Sequence, residues 1–138
     1  IEGFSSYIIR IPSQQVYVAV LANSSYFDSY TLAVKLAAIA INQPIEPTSV
    51  TLPQSTLEAI AGNFSFDDGT ERRITLENGA LFCQTKDGAR QQLIPTADGK
   101  LYLEDEISYL MLGPIRQGKA ELTLEIRGFG SFQGKRLP

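Results

Sequence analysis

Apolar residues follow two different rhythms along this chain. Near the start, Ser5 to Ile11 and Val16 to Leu21 are almost continuously apolar, with Pro12-Ser13-Gln14-Gln15 between them. The proline and its polar neighbours are turn chemistry, so the pair predicts a β-hairpin. Strands that are apolar at consecutive positions suit cover on both faces. From Asp28 to Asn42, Leu32, Leu36, Ile39 and several alanines recur at helical spacing, and Asp28 or Ser29 can cap the start. This predicts an amphipathic helix lying on the hairpin. A strand-strand-helix unit cannot cover both faces of its own strands, so the missing cover is expected from residues preceding Ile1 or from another copy.

Residues 43–53 read Gln-Pro-Ile-Glu-Pro-Thr-Ser-Val-Thr-Leu-Pro, and the three prolines block helix and ladder alike. We expect a linker here, separating a first piece over 1–42 from a domain over 54–138. After a short helical turn, Ser55 to Ala61, stopped by Gly62, the rhythm becomes that of short strands: 62–66, 71–77, 80–85, 90–94, 100–104, 107–112, 119–127 and 131–136. Asp68-Gly69, Asn78-Gly79, Asp87-Gly88, Asp98-Gly99 and Gln117-Gly118 punctuate them as hairpin turns. The clearest alternation sets Ala120, Leu122, Leu124 and Ile126 against Lys119, Glu121, Thr123, Glu125 and Arg127, one dry face and one wet one. Eight sequential strands with tight turns predict a mainly β fold, a small antiparallel eight-stranded barrel, because closure removes exposed edges.

Composition narrows the chemistry. The 138 residues are 43% hydrophobic, enough for a core, and 20% charged with a net charge of -3, which gives no field to gather phosphates. Nucleic acid is not an expected partner. The stretch from Leu32 to Ile41, interrupted by Lys35, is about half of the ~20 residues a bilayer crossing needs, so no membrane span is expected. Histidine is absent, which removes the commonest general base and every Ser-His-Asp or Cys-His triad. The single cysteine, Cys83, excludes an internal disulfide. The opening Ile1-Glu2-Gly3-Phe4 has no initiator Met, charged n-region or apolar signal sequence, and we expect a piece of something longer.

Gly3-Phe4-Ser5-Ser6-Tyr7, then Arg10-Ile11-Pro12, Val16 to Leu21 and Ala22-Asn23-Ser24, closely resembles the end of the serine β-lactamase and penicillin-binding-protein fold, especially its class C and esterase-like branch. There a Gly-Phe-x-Ser-Tyr strand, a Pro turn, an apolar strand and a C-terminal helix close an α/β domain. The resemblance implies a parent serine hydrolase working through an acyl-enzyme on a β-lactam, peptide or ester, usually in the periplasm or outside the cell. It implies no cofactor or metal. The family's Lys/His-x-Gly motif would lie just before Gly3-Phe4 and is absent, as are Ser-x-x-Lys and Tyr-x-Asn. No position therefore matches a catalytic residue, and Gly3, Phe4, Ser5, Ser6 and Tyr7 would only lie near the active-site strand. From Leu57 through Ile60-Ala61-Gly62-Asn63-Phe64, Leu81-Phe82, Leu93-Ile94-Pro95 and Leu101-Tyr102, the chain resembles the lipocalin-like domain often appended to such hydrolases.

Other chemistry has a plainer reading beside it. Ser5, Ser6, Ser24 and Ser25 lack an adjacent base, so backbone and turn roles are expected. Asp67-Asp68 and Glu104-Asp105-Glu106 could be paired carboxylates or calcium ligands, but their positions between strands suit solvated loop charge. Cys83, in Leu81-Phe82-Cys83, reads as a small core hydrophobe. Of Arg72 and Arg73, at most one can point into a barrel, where it could hold a carboxylate; two rim or surface arginines are the expectation. Phe64, Phe82, Tyr102 and Tyr109, with Phe66, Phe129 and Phe132, could line a lumen for an apolar ligand, although ~8 strands leave an interior that side chains can fill. A barrel acting on the parent's site through Asp67, Asp68 or Arg116 is a further reading. The apolar hairpin and helix predict an assembly, with the rest of the hydrolase, another copy or the barrel, that buries Ile8, Val18, Leu32, Leu36 and Ile39.

Overall fold

The computed structural model describes residues 3–103, 107–126 and 130–138. Two compact units divide between Glu46 and Pro47, inside the proline-rich stretch.

In the first unit, β1 (Ser5–Ile11) and β2 (Val16–Ala22) pair antiparallel from Ser5 opposite Ala22 to Ile11 opposite Val16. Pro12–Gln14 forms a single 3₁₀ turn, and Gln15, at φ 54, closes it by donating its N–H to the Pro12 carbonyl at 3.1 Å. Helix α1 (Ser29–Ala40) starts at Asp28, whose carboxylate accepts the Thr31 N–H at 3.0 Å and so satisfies one of the free amides of the first turn. The helix packs on the face carrying Ser5, Tyr7 and Val20. The Ser29 hydroxyl donates to Ser5 Oγ at 2.8 Å, and Tyr30 meets Tyr7 edge-on with ring centroids 4.9 Å apart.

The side of α1 that touches the strands corrects the expected amphipathic pattern. Ser29, Ala33, Ala37 and Ala38 are buried, whereas Leu32, Leu36 and Ile39 are exposed. Small residues let the helix approach the strands closely, and the bulky ones are left on the far side. The helix is thus apolar nearly all round, which is the signature of an element with cover on two sides. The hairpin repeats the pattern. Its face away from α1 carries Ser6, Ile8, Arg10, Tyr17, Ala19 and Leu21, and Leu21 is 82% exposed.

The second unit begins with α2 (Gln54–Ile60) and continues through β3 (Gly62–Phe66), β4 (Glu71–Glu77), β5 (Ala80–Thr85), β6 (Gln91–Pro95), β7 (Lys100–Leu103), β8 (Tyr109–Arg116), β9 (Lys119–Ile126) and β10 (Gly130–Arg136). Each strand pairs antiparallel with its sequence neighbours, and β10 pairs with β3 to close an eight-stranded barrel. Asn78-Gly79 and Gln117-Gly118 have positive φ at both residues, the conformation a two-residue hairpin needs to match strand twist. The β8 strand corrects an expected boundary. It does not stop at Leu112 but continues to Arg116, because Leu112 opposes Leu122 while Ile115 opposes Ala120, a one-residue bulge that takes up Gly113-Pro114. A bulge frees the proline, which has no N–H, from ladder duty.

One apolar cluster fills the barrel. Phe64, Ile74, Leu81, Leu93, Leu101, Leu110, Leu122 and Leu124 are all at most 2% exposed. A void large enough for water would leave accessible surface on the side chains around it, so the interior they line is packed solid. Leu57 and Ile60 join the cluster from α2, which touches β4 and β9, strands that are not neighbours. The helix therefore lies across one end of the barrel as a plug. Arg136 ties it down: its guanidinium donates to the Ala61 carbonyl at 2.6 Å and to the Ala59 carbonyl, and rests over the Phe64 ring at 4.6 Å. A cation on the last carbonyls of a helix also complements the negative end of its dipole.

Candidate functional site

The residues singled out for chemistry fall into three places. The first is the strand edge of the hairpin unit. Gly3 and Phe4 precede β1, Phe4 is exposed, Ser5 and Tyr7 face α1, and Ser6 lies on the opposite, open face. The oxygen of Ser5 accepts the Ser29 hydroxyl and holds the start of the helix to the strand, a structural role. No lysine or other base within the described residues hydrogen-bonds to Ser5.

The second place is the set of barrel aromatics, where strand parity decides. Phe64 is fully buried in the interior cluster, beside Phe66 with centroids 6.3 Å apart. Phe82 is a correction: it lies between Leu81 and Cys83, both of which face inward, so it points outward and carries the Arg90 guanidinium 3.7 Å above its ring. Tyr102 and Tyr109 are corrected in the same way. They pair with each other on the face opposite Leu101, Leu103 and Leu110, with their rings 5.1 Å apart, and Lys100 sits 5.3 Å over Tyr109. Of the four expected lumen residues, only Phe64 is inside, and there it is core. Phe129 lies outside the described residues.

The third place is the loops. Asp68 accepts both the Thr70 N–H at 2.9 Å and the Thr70 hydroxyl at 2.7 Å, so it builds the turn between β3 and β4. Glu104-Asp105-Glu106 lies outside the described residues. Among the described residues no group of three histidine, cysteine, aspartate or glutamate side chains is placed to hold a metal. In the turn between β6 and β7, Asp98 accepts from the Thr96 hydroxyl and from Lys100, each at 2.5 Å. The bonds from Lys100 and Thr96 hold the Asp98 carboxyl down at about 2, and Lys100 is raised in turn, chiefly by its bond to Asp98.

Cys83 is buried, 2% exposed, in the barrel wall. Arg72 is the residue whose placement the sequence reading undervalued. It pairs in register with Phe64 on one side and Thr85 on the other, which puts it on the interior face at the end of β4, while Arg73 faces out. The signal was present in the spacing, since Arg72 stands two residues before Ile74 and four before Leu76.

No described helix is long and apolar enough to cross a membrane. No family model matches the chain, and no curated protein matches it.

Proposed function

We propose that this chain is the non-catalytic C-terminal region of a serine hydrolase of the β-lactamase-like kind. In this reading the hairpin and α1 complete the hydrolase sheet, and the barrel serves a structural, regulatory or docking role. The observation that carries the reading is the double set of open apolar faces in the first unit: Ile8, Tyr17 and Leu21 on one side of the hairpin, and Leu32, Leu36 and Ile39 on the outside of α1. A sheet layer between two helical layers needs such faces, and a free-standing hairpin with one helix does not. The resemblance of Gly3 to Ser24 to the end of the β-lactamase-like fold supplies the identity of the missing layers. The parent would work in the periplasm or outside the cell.

The filled centre of the barrel weighs against the rival reading of a small apolar carrier, because side chains already occupy the central volume that a lumen-filling apolar ligand would take. The test is hydrolysis of a chromogenic β-lactam and of short-chain esters by this chain and by the longer protein that contains it. We expect turnover by the longer protein only. Turnover by this chain alone would refute the non-catalytic assignment, and an inert longer protein would refute the family.

A further inference from the structure

Apart from Arg136 at the α2 terminus, the described interior face of the barrel is apolar except where three polar side chains meet. Arg72 stands opposite Thr85 in the ladder, and Gln91 stands opposite Cys83, two residues from Thr85 on the same face of β5. These four, with Gly88 and Ala89 of the turn between β5 and β6, line a recess of about 210 Å³. No aspartate or glutamate lines it. Gly88 is bound to this geometry, because a Cβ there would overlap the Thr85 hydroxyl.

Two arginines reach the interior side of this barrel; each has a buried Nε without a hydrogen-bond partner, and they differ in what the rest of the guanidinium meets. Arg136 donates to two carbonyls of the α2 terminus. Among the described residues the Arg72 guanidinium meets only the Phe66 ring, 6.0 Å away. A partly buried guanidinium without an anion is costly to keep, so a position that keeps one invites an anion from outside. The planar fork suits a carboxylate taken bidentately, and the Thr85 hydroxyl stands on the same wall. Cys83 and Ala89 give the smaller, apolar part of a lining that is mostly polar, which leaves a place for a short hydrocarbon tail beside the carboxylate. At about 30 Å³ per water, the volume holds roughly seven waters, or a carboxylate of a few carbons.

We propose that this recess is a binding site for a short-chain monocarboxylate, with Arg72 as its anion anchor. The proposal does not depend on the hydrolase reading. The test is titration of the full chain with sodium propionate at constant ionic strength, followed by amide chemical shifts and by thermal melting, with sodium chloride and inorganic phosphate as parallel arms. We expect saturable shifts at Thr85, Gly88, Ala89 and Gln91 with a Kd of about a millimolar, and phosphate at least about tenfold weaker. Arg72→Met should abolish the saturable shifts while raising the melting temperature of the unliganded protein, since it removes an unpaired cation. Thr85→Val, nearly isosteric, should weaken propionate several-fold with little change in melting. Propionate shifts that do not saturate, that chloride reproduces, or that survive in Arg72→Met would overturn the proposal. Equal or tighter binding of phosphate would overturn its carboxylate specificity, and a lower melting temperature in Arg72→Met with unchanged propionate binding would make Arg72 a structural residue.

Discussion

In the barrel, leucines and phenylalanines from six strands, joined by Ile74 from a seventh, face one another and are almost wholly removed from water. In the hairpin unit the alanines of α1 are buried, and Leu21, Ile8, Leu32 and Ile39 are left outside. Among the described residues the exposed large hydrophobic side chains lie in the first unit, Ile115 excepted. The two units are both rich in apolar residues yet opposite in what those residues accomplish. The barrel closes on itself and needs no partner for its core. The hairpin unit presents apolar surface on two sides, which is an interface waiting for a layer and a source of association without one.

Substitution of large core residues should separate the two units most sharply. Phe64→Ala or Leu110→Ala removes a side chain with no exposed surface and should destabilise the barrel by about 3–5 kcal/mol, measured by urea unfolding. Leu21→Ser, at an open position, should change stability by no more than about 0.5 kcal/mol, and should instead reduce self-association in light scattering. A loss of several kcal/mol from Leu21→Ser would mean that its face is covered within this chain, and the comparison would fail.

Arg136→Met tests how the plug is fastened. It keeps most of the packing on Phe64 but leaves the Ala59 and Ala61 carbonyls without their donors, and should cost about 1–3 kcal/mol. Burial lowers the pKa of Arg136 without depriving it of its charge at neutral pH. The loss should therefore be the same at pH 6 and pH 9; a strong pH dependence would point to a different cause. In the other unit, Asp28→Ala removes the α1 cap and should cost about 1 kcal/mol, visible as faster amide exchange confined to residues 29–40.

Much of the barrel was legible because its instructions are local. Asn78-Gly79 and Gln117-Gly118 admit few conformations, and the alternation from Lys119 to Ile126 names its own buried face. The facing of Phe82 and Tyr102 was not legible for an equally local reason. Leu81-Phe82-Cys83 and Leu101-Tyr102-Leu103 are apolar at every position, so period-two alternation gives no parity, and only the register with neighbouring strands fixes it. The continuation of β8 through Gly113-Pro114 was hidden because proline argues against a strand until a bulge excuses it. In α1, alanine and leucine are alike in apolar rhythm, and only the closeness of the strands decides that the small residue goes inside. Arg72 was readable from Ile74 and Leu76, but a charge is an unexpected member of an inward row.

The smallest expected effect belongs to the turn between β6 and β7 and concerns pH. The Asp98 carboxyl, bonded to Lys100 and Thr96, lies at about 2 against an ordinary 3.8. Because the folded value is the lower one, the unfolded chain binds the proton more readily, and this turn favours folding fully only above about pH 4. Its contribution should fade as pH falls from about 4 through 2 and be gone below that. The pair is exposed to solvent, so salt should shrink the effect further. Asp98→Asn should flatten the acid limb of the barrel's melting curve between pH 4 and 2 and leave the curve above pH 5 nearly parallel to the parent. It should leave the α1 amides untouched at every pH, whereas Asp28→Ala should alter those amides alone, because each carboxylate serves a turn or cap of its own unit. Equal acid sensitivity in Asp98→Asn and the parent would show that the Lys100 bond does not hold the carboxyl down in solution.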